Sequence, residues 1–296
     1  MPKLISMTTF EPKDLPVKQL HSLLLDAVAP RPIAFASTVD EQGHPNLSPF
    51  SFFNVFSAKP PILVFSPARR VRDNTIKHTL ENIKATKEVV INVVNHDIVQ
   101  QMSLSSTEYA EGINEFVKAG LTMVSSQKIK PFRVGESPVQ FECKVNEIIE
   151  LGRNAGAGNL IVCEVVNIHV ANEVLNENLS INQETLDLVA RAGGSYYTRI
   201  SKGFFEIPKP LRSPGIGVDT LPGHIKNSMI LTGNDLGMLG NSEALPTSDS
   251  ITKFVNKLSE RYPNIRGMSH REKHKIAKNY LSFGDVDSAL KLLLSE

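Results

Sequence analysis

Cysteine is scarce in this chain of 296 residues, where only Cys143 and Cys163 occur. Two thiols exclude a disulfide framework and a four-cysteine zinc site. Both sit in apolar, strand-like runs, so the plain reading is two buried free thiols; a redox pair on neighbouring strands is the alternative. Excess charge is also missing. The 32 basic and 31 acidic residues leave a formal net charge of +1, without the basic stripe of a nucleic-acid binder. Long apolar runs are absent. Stretches such as Ile62–Phe65 and Val89–Val94 are far too short to span a bilayer. The opening MPKLISMTTFEPKDLP has no long apolar centre and no small-residue cleavage site, so a cytoplasmic protein is expected.

Familiar catalytic signatures are lacking too. HREKH (His270–His274) spaces two histidines one helical turn apart, but a zinc-protease helix needs Glu directly after the first His. A surface helix is the simpler reading. GAGNLI (Gly156–Ile161) precedes a strand, whereas a dinucleotide fingerprint follows one and needs a third glycine. GGSYY (Gly193–Tyr197) does not match a nucleophile elbow, and no Walker-type loop is present.

What is present reads first as β. Strands are expected at Ile33–Val39, Leu47–Phe56, Ile62–Ser66, Glu88–Val94, Leu121–Val124, Val139–Glu150 and Asn159–Val170. Short loops join the first two and the last two as hairpins. Many short antiparallel strands suggest a small barrel. One helix stands out in RDNTIKHTLENIKAT, with Asp73 as expected N-cap and Ile76, Leu80 and Ile83 on one stripe. Beyond Phe204–Pro210 the composition changes. Residues 1–210 read as one domain, 211–246 as a linker or wrapping loop, and 247–296 as a small helical extension. In that extension Ile251, Phe254, Val255 and Leu258 make an apolar stripe. Ser269 and Glu272 form a capping box, and Asp285 caps the last helix.

Two stretches resist a purely structural reading. NLSPFSFFNVF (Asn46–Phe56) alternates like a strand, yet sets Ser48, Pro49, Ser51 and Asn54 among four phenylalanines. Such a face suits a flat ring with polar edges; an internal core strand is the plainer alternative. SPARRVRDNT (Ser66–Thr75) brings three arginines and short donors to a helix start, where an anion is favoured. Its alternative is an exposed basic loop with an ordinary Asp cap. Together they describe a ligand with a flat ring and a phosphate. Flavin mononucleotide, pyridoxal phosphate and many nucleotides all fit.

The ordered segments RPIAFASTVDEQGHPNLSPFSFFNVFSAKPPILVFS, RDNTIKHTLENI, EVVINVV, SPVQFECKVNEIIELG, NLIVCEVVNIHV and RAGGSYYTR resemble the flavin-reductase-like family of FMN-binding split-barrel proteins, from about Leu20 to Pro210. The resemblance implies a mainly β fold, a split β-barrel with Greek-key topology and a few helices, followed here by the helical extension. It implies FMN as cofactor, NADH or NADPH as electron donor, and a homodimer; the charge balance and short apolar runs argue for no nucleic-acid and no membrane partner. An electron-acceptor protein fits as a further partner. By motif, Ser48, Pro49, Phe50, Ser51 and Asn54 lie along the isoalloxazine ring, with Ser37 and Thr38 reaching it from the preceding strand. Ser66, Arg72, Asp73, Asn74 and Thr75 surround the ribityl chain and phosphate, and Tyr196 and Tyr197 close the site. No side-chain general base is implied. One departure matters: many two-component reductases of the family carry Gly-Asp-His before the last long strand, where this chain has GAGNL with Asn159 near the His position. The implied activity is NAD(P)H-dependent flavin reduction by hydride transfer. A flavoredoxin-like FMN-binding electron carrier is the alternative, and a pyridoxine-phosphate-oxidase relative a third.

Overall fold

A computed structural model describes residues 5–110, 112–208 and 213–295. The chain divides into two compact units, Thr8–Phe204, and Phe205–Glu296 with Met1–Met7. The first unit opens with helix α1 (Val17–Ala27). Strands β1 (Ala34–Val39) and β2 (Pro45–Phe50) then pair as a hairpin. Its turn is folded by Asp40, whose carboxylate accepts from Gln42 N at 2.9 Å and His44 N at 2.8 Å. After β3 (Phe53–Ala58) and β4 (Pro61–Phe65) come α2 (His78–Thr86), β5 (Glu88–Asn92), α3 (Val99–Leu104) and α4 (Glu115–Ala119). A short ribbon, β6 (Met123–Val124) with β7 (Arg133–Val134), leads to the long hairpin of β8 (Val139–Glu150) and β9 (Asn159–Val170). Helix α5 (Gln183–Leu186) and the small hairpin β10 (Val189–Arg191) and β11 (Tyr197–Arg199) complete the unit.

Seven strands form one antiparallel sheet in the order β2-β1-β5-β8-β9-β4-β3. Its two edges, β2 and β3, are consecutive in sequence, with only Ser51 and Phe52 between them. So short a link reaches no more than about 11 Å from Phe50 to Phe53. The sheet must therefore curl until its edges lie side by side, unpaired, which makes a barrel with a split. The expected strand Leu47–Phe56 is thus two strands, bent at Ser51–Phe52. Edge strands that do not pair tolerate the Pro and polar residues found here.

The barrel packs on both faces of β1. Ala34 and Ala36 face a cluster with Phe50, Phe65, Ile91, Ile161, Cys143 and Cys163, capped by Leu80 and Ile83 of α2. Ile33 and Phe35 face a second cluster with Leu47, Met102 and Phe116 from β2, α3 and α4. Burying a side chain such as Phe35 or Phe65 contributes roughly 1.5–3 kcal/mol. Cys143 and Cys163 are free and buried. Burial pushes the Cys143 thiol well up, helped by Cys163 and Glu142, and burial alone raises Cys163. Such thiols are inert, as the plain reading had it.

The second unit is helical: α6 (Gly223–Lys226), α7 (Gly233–Gly240), α8 (Ser248–Ser259), α9 (His270–Ser282) and α10 (Val286–Leu293). They share one core, including Leu221, Ile225, Leu239, Val255, Leu258, Ala277, Leu281 and Leu290. In the stretch expected as a linker or wrapping loop, leucines and isoleucines from residue 213 onward pack into this core, and Thr232 and Asp235 make a capping box for α7. A Cβ on Gly240 would lie 2.9 Å from Val218 N, so close backbone approach explains part of its glycine content. The Ser269–Glu272 capping box and the Asp285 cap are both present. With this unit included, helix takes 33% of the described residues and strand 23%, so "mainly β" is corrected to a β-barrel core with a substantial helical part. No helix among the described residues is long and apolar enough to cross a membrane.

Candidate functional site

The bend between β2 and β3 is held from behind by Arg31. This arginine is 5% exposed. Its Nη1 donates to Leu25 O at 2.6 Å and to Val28 O, Nη2 to Ala192 O at 3.1 Å, and Nε reaches Ser51 Oγ at 3.4 Å. Arg31 and Arg191 also pair through their backbones. One buried cation thus ties the end of α1, the bend and the hairpin carrying Tyr196 and Tyr197. Burial lowers its pKa, as does Arg191, while Asp26 opposes them.

Beside Ser48 of β2 an open polar pocket is lined by Arg70, Lys77, Glu108, Tyr109 and Glu115, among others. Lys77 Nζ lies 3.3 Å from Ser48 Oγ and 5.0 Å from the centre of the Phe50 ring. Burial lowers its pKa, reinforced by Arg70 and opposed by Glu108 and Glu115. Glu115 is buried at the pocket floor and accepts from Leu47 N and Asn46 Nδ2, both at 3.0 Å. Burial nevertheless raises its pKa. Arg70 donates to Glu108 at 3.1 Å, to Thr75 Oγ1 at 2.8 Å and to Ile76 O at 2.8 Å.

Helix α2 starts on this pocket. Its N-cap is Lys77, which makes no capping hydrogen bond. The expectation of an Asp73 cap is corrected. Asp73 instead accepts from Thr75 N at 3.1 Å and Thr75 Oγ1 at 2.6 Å, folding a turn ahead of the helix. Those bonds, with Arg72, hold its carboxyl well below the usual range. Arg72 bridges Asp73 at 2.9 Å and Glu108 at 3.1 Å. Asn74, at φ +59°, accepts from Arg69 Nε at 2.7 Å and donates to Arg153 O at 3.1 Å. The loop is zipped to the β8–β9 turn through Arg69 N to Ala157 O at 2.8 Å and Gly156 N to Arg69 O at 3.1 Å. Ser66 Oγ accepts from Asn159 N at 3.0 Å, and Asn159 Nδ2 donates to Pro67 O at 2.8 Å. A Cβ on Gly158 would lie 2.8 Å from Ser66 Oγ, so any larger residue there would push that hydroxyl off its place.

The expected site residues therefore fall into groups. Ser48 meets Lys77 at the pocket. Ser51, half-buried, meets the Tyr196–Tyr197 hairpin through Arg31. Tyr196 is exposed, and Tyr197 lies under the Arg191 guanidinium at 4.6 Å. Phe50 packs on Phe65 with ring centres 5.5 Å apart, and Pro49 is partly buried beside it. Asn54 is exposed and accepts from Val55 N. Ser37 and Thr38 reach no surface of the chain: both are fully buried, Thr38 Oγ1 accepts from Asn82 Nδ2 at 3.1 Å, and Ser37 Oγ has no partner among the described residues. The sequence reading missed Arg31, Asn46, Lys77 and Glu115. The signal for Lys77 was a cation directly ahead of the Leu80–Ile83 stripe, obscured by Asp73, a better capping residue one turn earlier.

The flavin reductase like domain matches residues 27–189. An uncharacterized protein of Aquifex aeolicus (strain VF5) is 39% identical over 180 residues, 61% of this chain and 89% of its own length. The fold is similar to nitrilotriacetate monooxygenase component B from Bacillus cereus, with TM-score 0.65 and 27% identity over 69% of this chain and 100% of that one. A flavin reductase-type protein with a split barrel domain from Shewanella frigidimarina NCIMB 400 superposes with TM-score 0.57 and 25% identity, over 68% and 96% of the two chains. The curled sheet with unpaired β2 and β3 edges is that split barrel. The chain belongs to the flavin reductase-like domain family.

Proposed function

We propose that this protein is an FMN-binding oxidoreductase in which NADH or NADPH reduces flavin by hydride transfer. The observation that carries the reading is the convergence of Arg70, Lys77 and the uncapped start of α2 on one open pocket beside Ser48. Two cations and free helix-start amides fit a phosphate group. In this reading Lys77, Arg70 and Ser48 hold the FMN phosphate. Ser66 and the Arg72–Thr75 turn brace the loop beside it. The polar edge of the ring meets Ser51 and Asn54 at the bend, Pro49 and Phe50 wall it, and Tyr196 and Tyr197 cover it. Bound FMN supplies the two-electron chemistry. The chain's own residues orient the ring, exclude water and present donors, and Arg31 directs Ser51: because its Nε–H points at Ser51 Oγ, the Ser51 proton is free to donate outward. A homodimer fits the exposed Phe52, Val55 and Phe56 at the bend and on edge strand β3.

One observation favours a second reading, a flavoredoxin-like carrier reduced by another protein. Asn159 lies near the expected His position, yet it is 1% exposed and both its nitrogens are bonded internally. Neither nitrogen is left to donate to a nicotinamide. Anaerobic addition of NADH and then NADPH to the FMN-loaded protein decides between them. Bleaching of the flavin band by either donor supports the reductase; a band that stays oxidised with both removes it and leaves the carrier.

A further inference from the structure

The helical unit holds three histidines stacked face to face. The His224 ring, on α6, lies 4.1 Å from that of His270 and 6.0 Å from that of His274, and the two α9 rings are 6.3 Å apart. Interplanar angles of 17°, 15° and 5° make them nearly parallel. Parallel rings aim their nitrogen lone pairs side by side instead of at one point, so the stack is no metal site, and no metal-binding group of this kind occurs among the described residues.

Hydrogen bonding fixes the state of the buried member. Ser228 Oγ accepts from Ile230 N at 3.1 Å and Leu231 N at 3.0 Å. Both its lone pairs are then used, so its proton goes to His274 Nδ1, 2.8 Å away. His274 Nδ1 is an acceptor, and the neutral ring carries its proton on Nε2. That Nε2 is buried and has no partner among the described residues. A second proton on His274 would have to enter at Nδ1, against a hydroxyl with no lone pair left. It would break the bond that holds the turn between α6 and α7.

The surroundings offer the resulting cation nothing. His270 is the first residue of α9 and His274 lies one turn on, both at the positive end of the helix. On α9, Glu272 is committed to Ser269 at 2.8 and 2.7 Å, Lys273 donates to Ser295 O, and Lys278 pairs with Asp235 of α7. Arg271 and Lys275 add positive charge to the same helix. From α6, Lys226 donates to Asp219 O. From α10, Leu293 O faces His224 Nε2 at 3.2 Å, while Asp287 pairs with Lys291 and Asp285 caps Ser288. Burial depresses the basicity of His274, with His224 and His270 adding to it.

We propose that the His224–His270–His274 stack is an acid-sensitive latch: neutral, it holds α6 and the Ser228–Leu231 turn on α9, and protonation releases them. The sign follows from linkage. His274 binds its proton less readily folded than unfolded, so the latch is intact above the free imidazole value of 6.5 and weakens as pH falls from there through the lowered folded value. The test is hydrogen exchange of the full-length protein at about pH 7.5 and about pH 5.5, corrected for intrinsic rates. Protection of 223–231 and of α9 should drop by roughly tenfold or more at the lower pH while β8 and β9 keep theirs. His274→Asn keeps an acceptor for Ser228 and should lose the drop; the exposed His270→Gln should reduce it without disturbing the core. Unchanged protection in the wild type, or an equal drop in both variants, overturns the latch. So does a histidine titration by NMR that gives His274 a midpoint at or above 6.5.

Discussion

Lys77 keeps an ammonium beside Ser48 and Phe50 with no ion pair among the described residues, at the start of a helix that has no side-chain cap. Burial already disfavours its charge, so an anionic ligand would restore what burial takes away. Lys77→Ala is expected to weaken FMN binding by roughly tenfold to a hundredfold, read by quenching of flavin fluorescence, and to leave riboflavin binding unchanged. Arg31 makes the opposite kind of contribution. It fills three carbonyl acceptors with one buried group. Arg31→Gln leaves several of them without donors and should cost about 2–4 kcal/mol in a denaturant titration. Neither residue was legible in the sequence. Lys77 sits behind a better-looking cap, and the acceptors of Arg31 come from positions as far away as Ala192. Ser48 and Ser51 were legible because hydroxyls among phenylalanines need an explanation on any reading.

At the level of elements, the long hairpin β8–β9 could be read to the residue, since both strands are long, alternate well and flank an obvious turn. The bend at Ser51–Phe52 could not. Its alternation continues across the break, and only the sheet order reveals that the two halves lie on opposite edges. The helix after Asp73 was placed one turn too early because an Asx turn uses the same residue types as a helix cap. The small hairpin β10–β11 was marked by its tyrosines alone, yet an ion pair secures it. The Arg199 guanidinium, against burial and with help from the Ser201 hydroxyl, brings the Asp187 carboxyl down to about 2. Folded below unfolded, that pKa adds stability that is complete above 3.8 and disappears as pH falls through about 2. Asp187→Asn should therefore be less stable than wild type at neutral pH, with the gap closing in acid; a gap that persists at the lowest pH would refute the ion-pair origin.

For the whole molecule, the barrel and the helical unit each have a core of their own. The barrel was legible through its motifs and its strand spacing. The packing of α6 and α7 was hidden by glycine, proline and asparagine, which signal loops until the helices' few leucines are seen to meet α8–α10. The central claim concerns the pocket at the start of α2, and its most direct measurement compares FMN with riboflavin by fluorescence titration of the same protein. The two ligands share the ring and differ in the phosphate. A phosphate seated on Lys77 and Arg70 predicts FMN binding tighter by about a hundredfold or more, with the difference shrinking as salt is added. Equal affinities, or no binding of either, would contradict it.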